Sequence, residues 1–260
     1  MLWACLYFPE LPLDAVRPPD CAREAAAVLV DGPVRHPRVA MVNRAARLAG
    51  IRSGQSLAAA RALHADVPGW RRDVEAERHL LTALADTAYR FSNEVSLAPP
   101  RALLVEVGAS LGLFGGWAAL ERRLRADFDG WALRYRLAVA PVAAGARVLA
   151  NCRDGITLLE KSQLINVLSC FSVENCGLER KTSSSLSAMG LDRLGQVFAL
   201  PRAELSRRIG PAALLHLDRM RGLVGEALAS YQPPTRYQRR IEFDYRIDRV
   251  EALLFPLQRM

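Results

Sequence analysis

The first apolar run, LWACLYF at 2–8, has the length of a strand and stops at Pro9, so it predicts a buried strand followed by a turn. AVLVDGPV at 27–34 and RVAMVN at 38–43 predict two more short strands, separated by a DGP turn and a basic HPR connection. From Arg44 the pattern turns helical. Ala and Leu recur through AARLAGIRSGQSLAAARAL, break at Gly50 and restart behind Ser53 to Ser56, which offer N-cap chemistry, so two short helices are expected. VEAERHLLTALADTAYRFS places Leu80, Leu81, Leu84 and Tyr89 against a polar opposite face, which predicts a longer helix lying on a sheet.

ALLVEVGAS at 102–110 reads as a strand, LFGGWAALERRLRADF as a helix and YRLAVAPV as another strand. The resulting order of strand, helix, strand, strand, helix, strand fits an α+β fold with a ferredoxin-like core. Beyond about residue 165 the pattern becomes short helices punctuated by Gly and Pro. LSAMGLDRLGQVFALPRAELSRRIGPAALLHLDRMRGL resembles helix-hairpin-helix units. Gly190 and Gly210 fall at turns that require positive φ, and the backbone N–H groups of such turns can meet phosphates. QPPTRYQRR then reads as a Pro-rich basic linker, and IEFDYRIDRVEALLFPLQRM opens a strand and a helix that look cut short at Met260.

Charge sharpens this picture. The 260 residues carry 35 Lys and Arg against 27 Asp and Glu, a formal net charge of +8, nearly all of the positive charge being Arg. Such a balance favours a polyanionic partner such as nucleic acid. No uncharged apolar run is long enough to span a bilayer and the start lacks a basic n-region, so a soluble, cytoplasmic chain is expected. Five cysteines, Cys5, Cys21, Cys152, Cys170 and Cys176, with no CxxC spacing, suggest reduced thiols and no metal site.

The stretches LYFPELPLDAV, AARLAGIRSGQSLAAARAL, RFSNEVSLAPPRALLVEVGASLGLFGG, LRYRLAVAPVAAGARVLA and LGQVFALP with RRIGPAALLHLD together resemble the Y-family (translesion) DNA polymerases, and more closely the ImuB group of bacterial mutagenesis proteins. The stretch GITLLEKSQLINVLSCFSVENCGLERKTSSS is the least similar. The resemblance implies a hand-shaped protein: a ferredoxin-like palm at 1–18 and 75–165, small α/β fingers at 19–74, a helical thumb at 166–230, and a linker with an incomplete little-finger domain at 231–260.

Active members of the family hold two Mg²⁺ with three acids, because hard cations need anionic oxygens on both sides of the reacting phosphate. By resemblance those acid positions are occupied here by Tyr7, Ala98 and Pro99, so no catalytic residue and no metal is assigned. Mg²⁺ is expected only if displaced acids, among Glu10, Asp14, Glu94 and Glu106, take over. Arg44 and Arg47 match the fingers positions that contact the triphosphate. The residue that screens the sugar 2′-OH falls within Leu11–Pro12, and the palm lysine is replaced in Pro141–Ala143, with Arg147 following.

DNA contacts are expected from Arg202, Arg207 and Arg208 around Gly210, from Gly190, from Arg122, Arg123 and Arg125, and from the linker residues Arg236, Arg239 and Arg240. The resemblance further implies a non-catalytic, DNA-binding scaffold in damage-induced mutagenesis. Its partners would be a RecA-like accessory protein, an error-prone replicative-type polymerase and the sliding clamp. Of the two clamp-peptide candidates, QLINVL at 163 and QVFAL at 196, both read as core-packed helix. Two alternatives stand beside this reading, an active lesion-bypass polymerase with displaced metal ligands and an unrelated α+β nucleic-acid-binding module.

Overall fold

Alternation along LWACLYF puts Ala4, Leu6 and Phe8 on one face and Trp3, Cys5 and Tyr7 on the other, and a strand apolar on both faces suits the middle of a covered sheet. The computed structural model of the chain describes residues 1–234. Its first part comprises β1 (Trp3–Tyr7), α1 (Leu11–Asp14), β2 (Val28–Asp31), β3 (Arg38–Val42), α2 (Arg44–Leu48), α3 (Leu57–Leu63) and β4 (Gly69–Arg71). The middle holds α4 (Val74–Ala88), β5 (Val95–Ala98), β6 (Ala102–Glu106), α5 (Leu111–Phe114), α6 (Trp117–Asp129), β7 (Arg136–Ala140), α7 (Ala143–Cys152) and β8 (Ile156–Thr157). Four helices follow, α8 (Lys161–Ser169), α9 (Arg180–Ala188), α10 (Leu194–Phe198) and α11 (Arg202–Arg221).

Five strands form one sheet in the order β5-β6-β1-β7-β8. β1 lies at its centre, antiparallel to β6 and to β7. On one face α4 and α6 deliver Leu81, Leu84, Leu120, Leu124 and Phe128 onto Leu6, Phe8, Leu103 and Val139. On the other face lies α7, whose sequence AAGARVLANC is rich in small residues and lets the helix sit close to Cys5, Leu104, Ala138 and Ala140. The same core continues outward into Leu164, Leu168, Leu194, Val197, Leu214 and Leu217, so the helical segment is packed through α7 onto the sheet.

The second sheet has the order β3-β2-β4, with β2 antiparallel to β3 and parallel to β4. Val28, Val30, Val39 and Val42 pack there against Ala46, Ile51 and Ala60 from the two short helices and their connection. A bidentate pair from Arg72 to buried Glu77, at 2.7 and 3.0 Å, ties the end of β4 to α4.

Several elements differ from the sequence pattern. β4 is GWR and β8 only two residues, both too short for apolar alternation to register. The helix expected over LFGGWAALERRLRADF is split into α5 and α6 at Gly115–Gly116. The turn at Gly210 is a kink inside α11: its φ of 80° and ψ of 166° lie outside the range open to a helical L-residue, and Pro211 restarts the helix. The strand and helix expected beyond residue 234 lie outside the described residues.

After α11 the chain returns to the first sheet. The Tyr231 N–H donates to the Val95 carbonyl at 2.6 Å, its hydroxyl donates to Asp86 Oδ1 at 2.5 Å, and its ring meets Tyr89 edge-on. At the same end of the sheet the start of β1 is held by Glu106, 4% exposed, whose carboxylate accepts from the N–H groups of Leu2 (2.8 Å), Gly108 (3.0 Å) and Ala109 (3.2 Å). A Cβ on Gly108 would come within 2.7 Å of Glu106 Oε1, so the glycine is required for this approach. Glu106→Ala would strand three donors and should lower unfolding free energy by about 3 kcal/mol in urea melts.

Candidate functional site

Cross-strand neighbours in an antiparallel ladder share a face, so register decides what the end of the sheet presents. Ala98 pairs with Ala102, Ala102 with Tyr7, and Tyr7 with Arg136, which makes Ala98, Ala102, Tyr7 and Arg136 one row across four strands. Pro99 begins the turn after β5, and the Phe8 N–H holds that turn beside β1 by donating to the Arg101 carbonyl at 2.7 Å. The structure therefore brings Tyr7, Ala98 and Pro99 together. They line a pocket of about 270 Å³ with Arg101, Arg147 and Asn175.

A larger cleft of about 620 Å³ shares Tyr7, Arg101 and Asn175 and runs between the two sheets to Arg44 and Arg47. Those two arginines stand on α2, which begins where the Asn43 side chain accepts from the Ala46 N–H at 2.9 Å. Asn43 is itself buried, accepting from the Ala27 N–H and donating to the Ala25 carbonyl, so the helix start is pinned to the strand entering the second sheet. Arg134 and Arg136 reach the cleft from the start of β7, and Arg136 donates to the Asn151 carbonyl.

The cleft lining holds five arginines, Arg44, Arg47, Arg101, Arg134 and Arg136, and one carboxylate, Glu10. Glu10 accepts from the Arg44 N–H at 3.3 Å and lies 3.7 Å from Arg134 Nη1. Among the described residues Arg44, Arg47 and Arg147 make no side-chain hydrogen bond or ion pair, and the Arg101 Nε is buried without a partner. Arg44 and Arg47 are exposed and Arg101 and Arg147 half-buried, and unpaired guanidinium groups so placed attract an anion, for which the planar fork is shaped.

Mg²⁺ does not fit the donor set at Tyr7, Ala98 and Pro99, since no carboxylate lines that pocket while two guanidinium groups do. No group of three or more His, Cys, Asp or Glu among the described residues is arranged to hold a metal. Of the acids considered as displaced ligands, Glu106 is spent at the other end of β1 and Glu10 is paired as above. Asp14 lies 3.6 Å from Arg17 Nε and 3.2 Å from Arg23 Nη1, with burial pushing its carboxyl up to about 6 against the attraction of both arginines. Burial also pushes the Cys5 thiol to about 12 and the Cys152 thiol to about 11, which leaves both protonated and unreactive.

The helical segment places the remaining residues. Gly190 and Gly210 both have positive φ, 77° and 80°. At Gly190 the N–H donates to the Ser187 carbonyl and the next N–H, of Leu191, to Leu186, so these amides close the end of α9. Arg202 is engaged by buried Asp218 at 2.5 Å and Arg208 by Glu204 at 2.6 Å, while Arg207 has no side-chain partner among the described residues. Arg122, Arg123 and Arg125 lie together on α6, on the sheet face opposite α7 and away from the cleft arginines; Arg125 is bonded to Glu121 and Asp154. Arg236, Arg239 and Arg240 lie outside the described residues.

Sequence reasoning missed Arg101, Arg134 and Arg136. The available signal was positional: Arg134 and Arg136 alternate into β7, and Arg101 follows Pro99–Pro100 in the turn that the ladder sets beside Tyr7.

No protein-family model matches the chain. DinB from Sulfolobus solfataricus superposes with a TM-score of 0.70 at 15% identity, covering 88% of this chain and 70% of that one. Dbh DNA polymerase, solved as an insertion ternary complex, superposes with a TM-score of 0.69 at 15% identity over 88% of this chain and 69% of that one. The fold is that of the Y-family DNA polymerases. In sequence, Protein ImuB of Caulobacter vibrioides is 32% identical over 194 residues, 75% of this chain and 42% of that protein. The chain is a homologue of ImuB and spans less than half the length of the curated relatives it matches. Among the described residues no helix is long and apolar enough to cross a membrane.

Asp14 supplies a pH test. Its folded value of about 6 exceeds the unfolded value near 3.9, so the folded state holds an extra proton between the two and stability is lost as pH rises through that window. Urea melts of Asp14→Asn and the parent chain at pH 4 and pH 7 should show the balance shifting toward the Asn variant by about 2 kcal/mol at the higher pH.

Proposed function

We propose that the chain is a non-catalytic, polymerase-like scaffold that binds DNA during damage-induced translesion synthesis and mutagenesis. On this reading residues 1–18 and 75–165 are a ferredoxin-like palm, 19–74 the fingers and 166–230 a thumb with helix-hairpin-helix character, and 231–260 lead into a little-finger domain. The observation that carries the reading is the row Ala98, Ala102, Tyr7, Arg136, which sets neutral side chains and a guanidinium group at the sheet end beside Arg101 and Arg147.

Phosphoryl transfer to a primer needs the developing charge held between metal ions. A pocket of arginines cannot collect those ions; it attracts the phosphates themselves, and each contact displaces counterions from DNA. The cleft would thus hold a phosphate backbone directly, with Arg44, Arg47 and Arg101 as contacts and Tyr7 as a neutral wall. Homology to ImuB supports the mutagenesis setting. The resemblance adds a RecA-like accessory protein, an error-prone replicative-type polymerase and the sliding clamp as partners, with the scaffold recruiting that polymerase to DNA.

The test combines primer extension with equilibrium binding to primer–template DNA across a salt series. Expected are no nucleotide addition with Mg²⁺, binding undiminished by a chelator, and a salt slope that falls by about one for each of Arg47→Ala and Arg101→Ala. Extension that Glu10→Gln abolishes would overturn the proposal and make Glu10 a metal ligand.

A further inference from the structure

The smaller pocket, at the end of the five-stranded sheet, has two walls that hydrogen bonds hold in place. One is the sheet end, with Ala98, Ala102 and Tyr7, together with the turn at 99–101, which the Phe8 N–H fixes by its 2.7 Å bond to the Arg101 carbonyl. The other is the connection 175–177 ahead of α9. Asn151, near the end of α7, donates from Nδ2 to the Asn175 carbonyl at 2.8 Å, and His216 of α11 donates from Nε2 to the Cys176 carbonyl at 2.8 Å. Gly177 has a φ of 85°, and a Cβ there would stand 3.3 Å from His216 Nε2 and 3.7 Å from Arg147 Nη2. The missing side chain leaves the approach to the Arg147 guanidinium open.

Two charged groups line this chamber, Arg101 and Arg147, and no Asp or Glu does. Among the described residues the Arg147 side chain makes no hydrogen bond or ion pair, and Arg101 Nε is buried without a partner. The other polar groups are neutral, the Tyr7 hydroxyl and the amides of Asn151 and Asn175. The number of charges then decides what fits. An internal phosphodiester carries one negative charge, whereas a terminal phosphate monoester carries close to two at neutral pH and presents three free oxygens. Two unpaired guanidinium forks match the monoester, since each can take a pair of its oxygens.

The chamber meets the larger cleft at Tyr7, Arg101, Asn151 and Asn175, which line both. A strand whose backbone follows the cleft arginines can therefore set its end in the chamber.

We propose that the chamber recognises a DNA end bearing a terminal phosphate, with Arg147 as the residue that distinguishes it from a hydroxyl end. This rests on the DNA-binding reading of the cleft, and the experiment keeps the two apart. Fluorescence anisotropy at one fixed salt concentration would compare three primer–template duplexes of the same sequence, whose primer ends in hydroxyls only, in a 3′-phosphate, or in a 5′-phosphate. A duplex of about twenty base pairs already carries about forty backbone charges, so one more changes the non-specific attraction little. The parent chain and Arg147→Gln would be used, with matched circular dichroism and melting.

The parent chain should bind a phosphate-ended duplex about tenfold more tightly than the hydroxyl-ended one, the effect of one added charge-assisted hydrogen bond. The arm that shows the gain names the end. In Arg147→Gln the ratio should fall to about twofold or less. Equal affinity of the parent chain for all three duplexes would overturn the chamber proposal and leave the cleft reading standing, and this comparison needs no variant. A variant that keeps the parent's ratio, including one that weakens all three duplexes in proportion, would overturn it too. A parent chain that binds none of the three sinks the scaffold reading and the chamber with it.

Discussion

The pairing of β1 on both edges is the constraint from which the rest follows. A central strand flanked by β6 and β7 and covered on both faces cannot slip by one residue without turning Leu6 and Phe8 out of one core and Cys5 out of the other. Each buried side chain of that size contributes roughly 1.5–3 kcal/mol, so register is strongly fixed. Glu106 holds one end of the strand through three backbone amides, and the Phe8 N–H bond to Arg101 holds the other. The row at the sheet end is therefore dictated by the core.

What that row presents is a neutral floor ringed by guanidinium groups. The arginines come from separated places in the sequence: α2, the turn after β5, the start of β7 and the middle of α7. Their convergence depends on the two sheets being tied together, through the Arg72–Glu77 pair and through Glu10, which reaches from the end of β1 to the first amide of α2. Holding several like charges near one another is unfavourable in the empty protein, and a bound polyanion relieves it. Under the proposed function such binding would be sensitive to salt, through the counterions released from phosphates, and indifferent to base identity.

The strands and longer helices were legible because their apolar positions keep a period of two or close to 3.6, as in β1, β3 and α4. β4 and β8 were not, because they are defined by neighbours in space and too short to carry a period of their own. At the site, motif order placed Tyr7, Ala98 and Pro99 together before any coordinates. Arg101 and Arg136 escaped notice because a solitary arginine in a basic chain carries no signal until the ladder shows what it stands beside. Arg122, Arg123 and Arg125 were legible as residues of one helix, but which face of the sheet that helix covers is decided by the packing of Leu120, Leu124 and Phe128.

The same row bears on descent. A carboxylate introduced singly at position 7 or 98 would find Arg101 and Arg147 in its own pocket before it found a cation in solution. It would form an ion pair, weakening the attraction for phosphate and still lacking the companions a divalent ion demands. Intermediates on the road toward metal chemistry would serve neither purpose. An architecture of this kind is closed to metal chemistry by single substitutions, because each new acid is claimed by a neighbouring guanidinium group first.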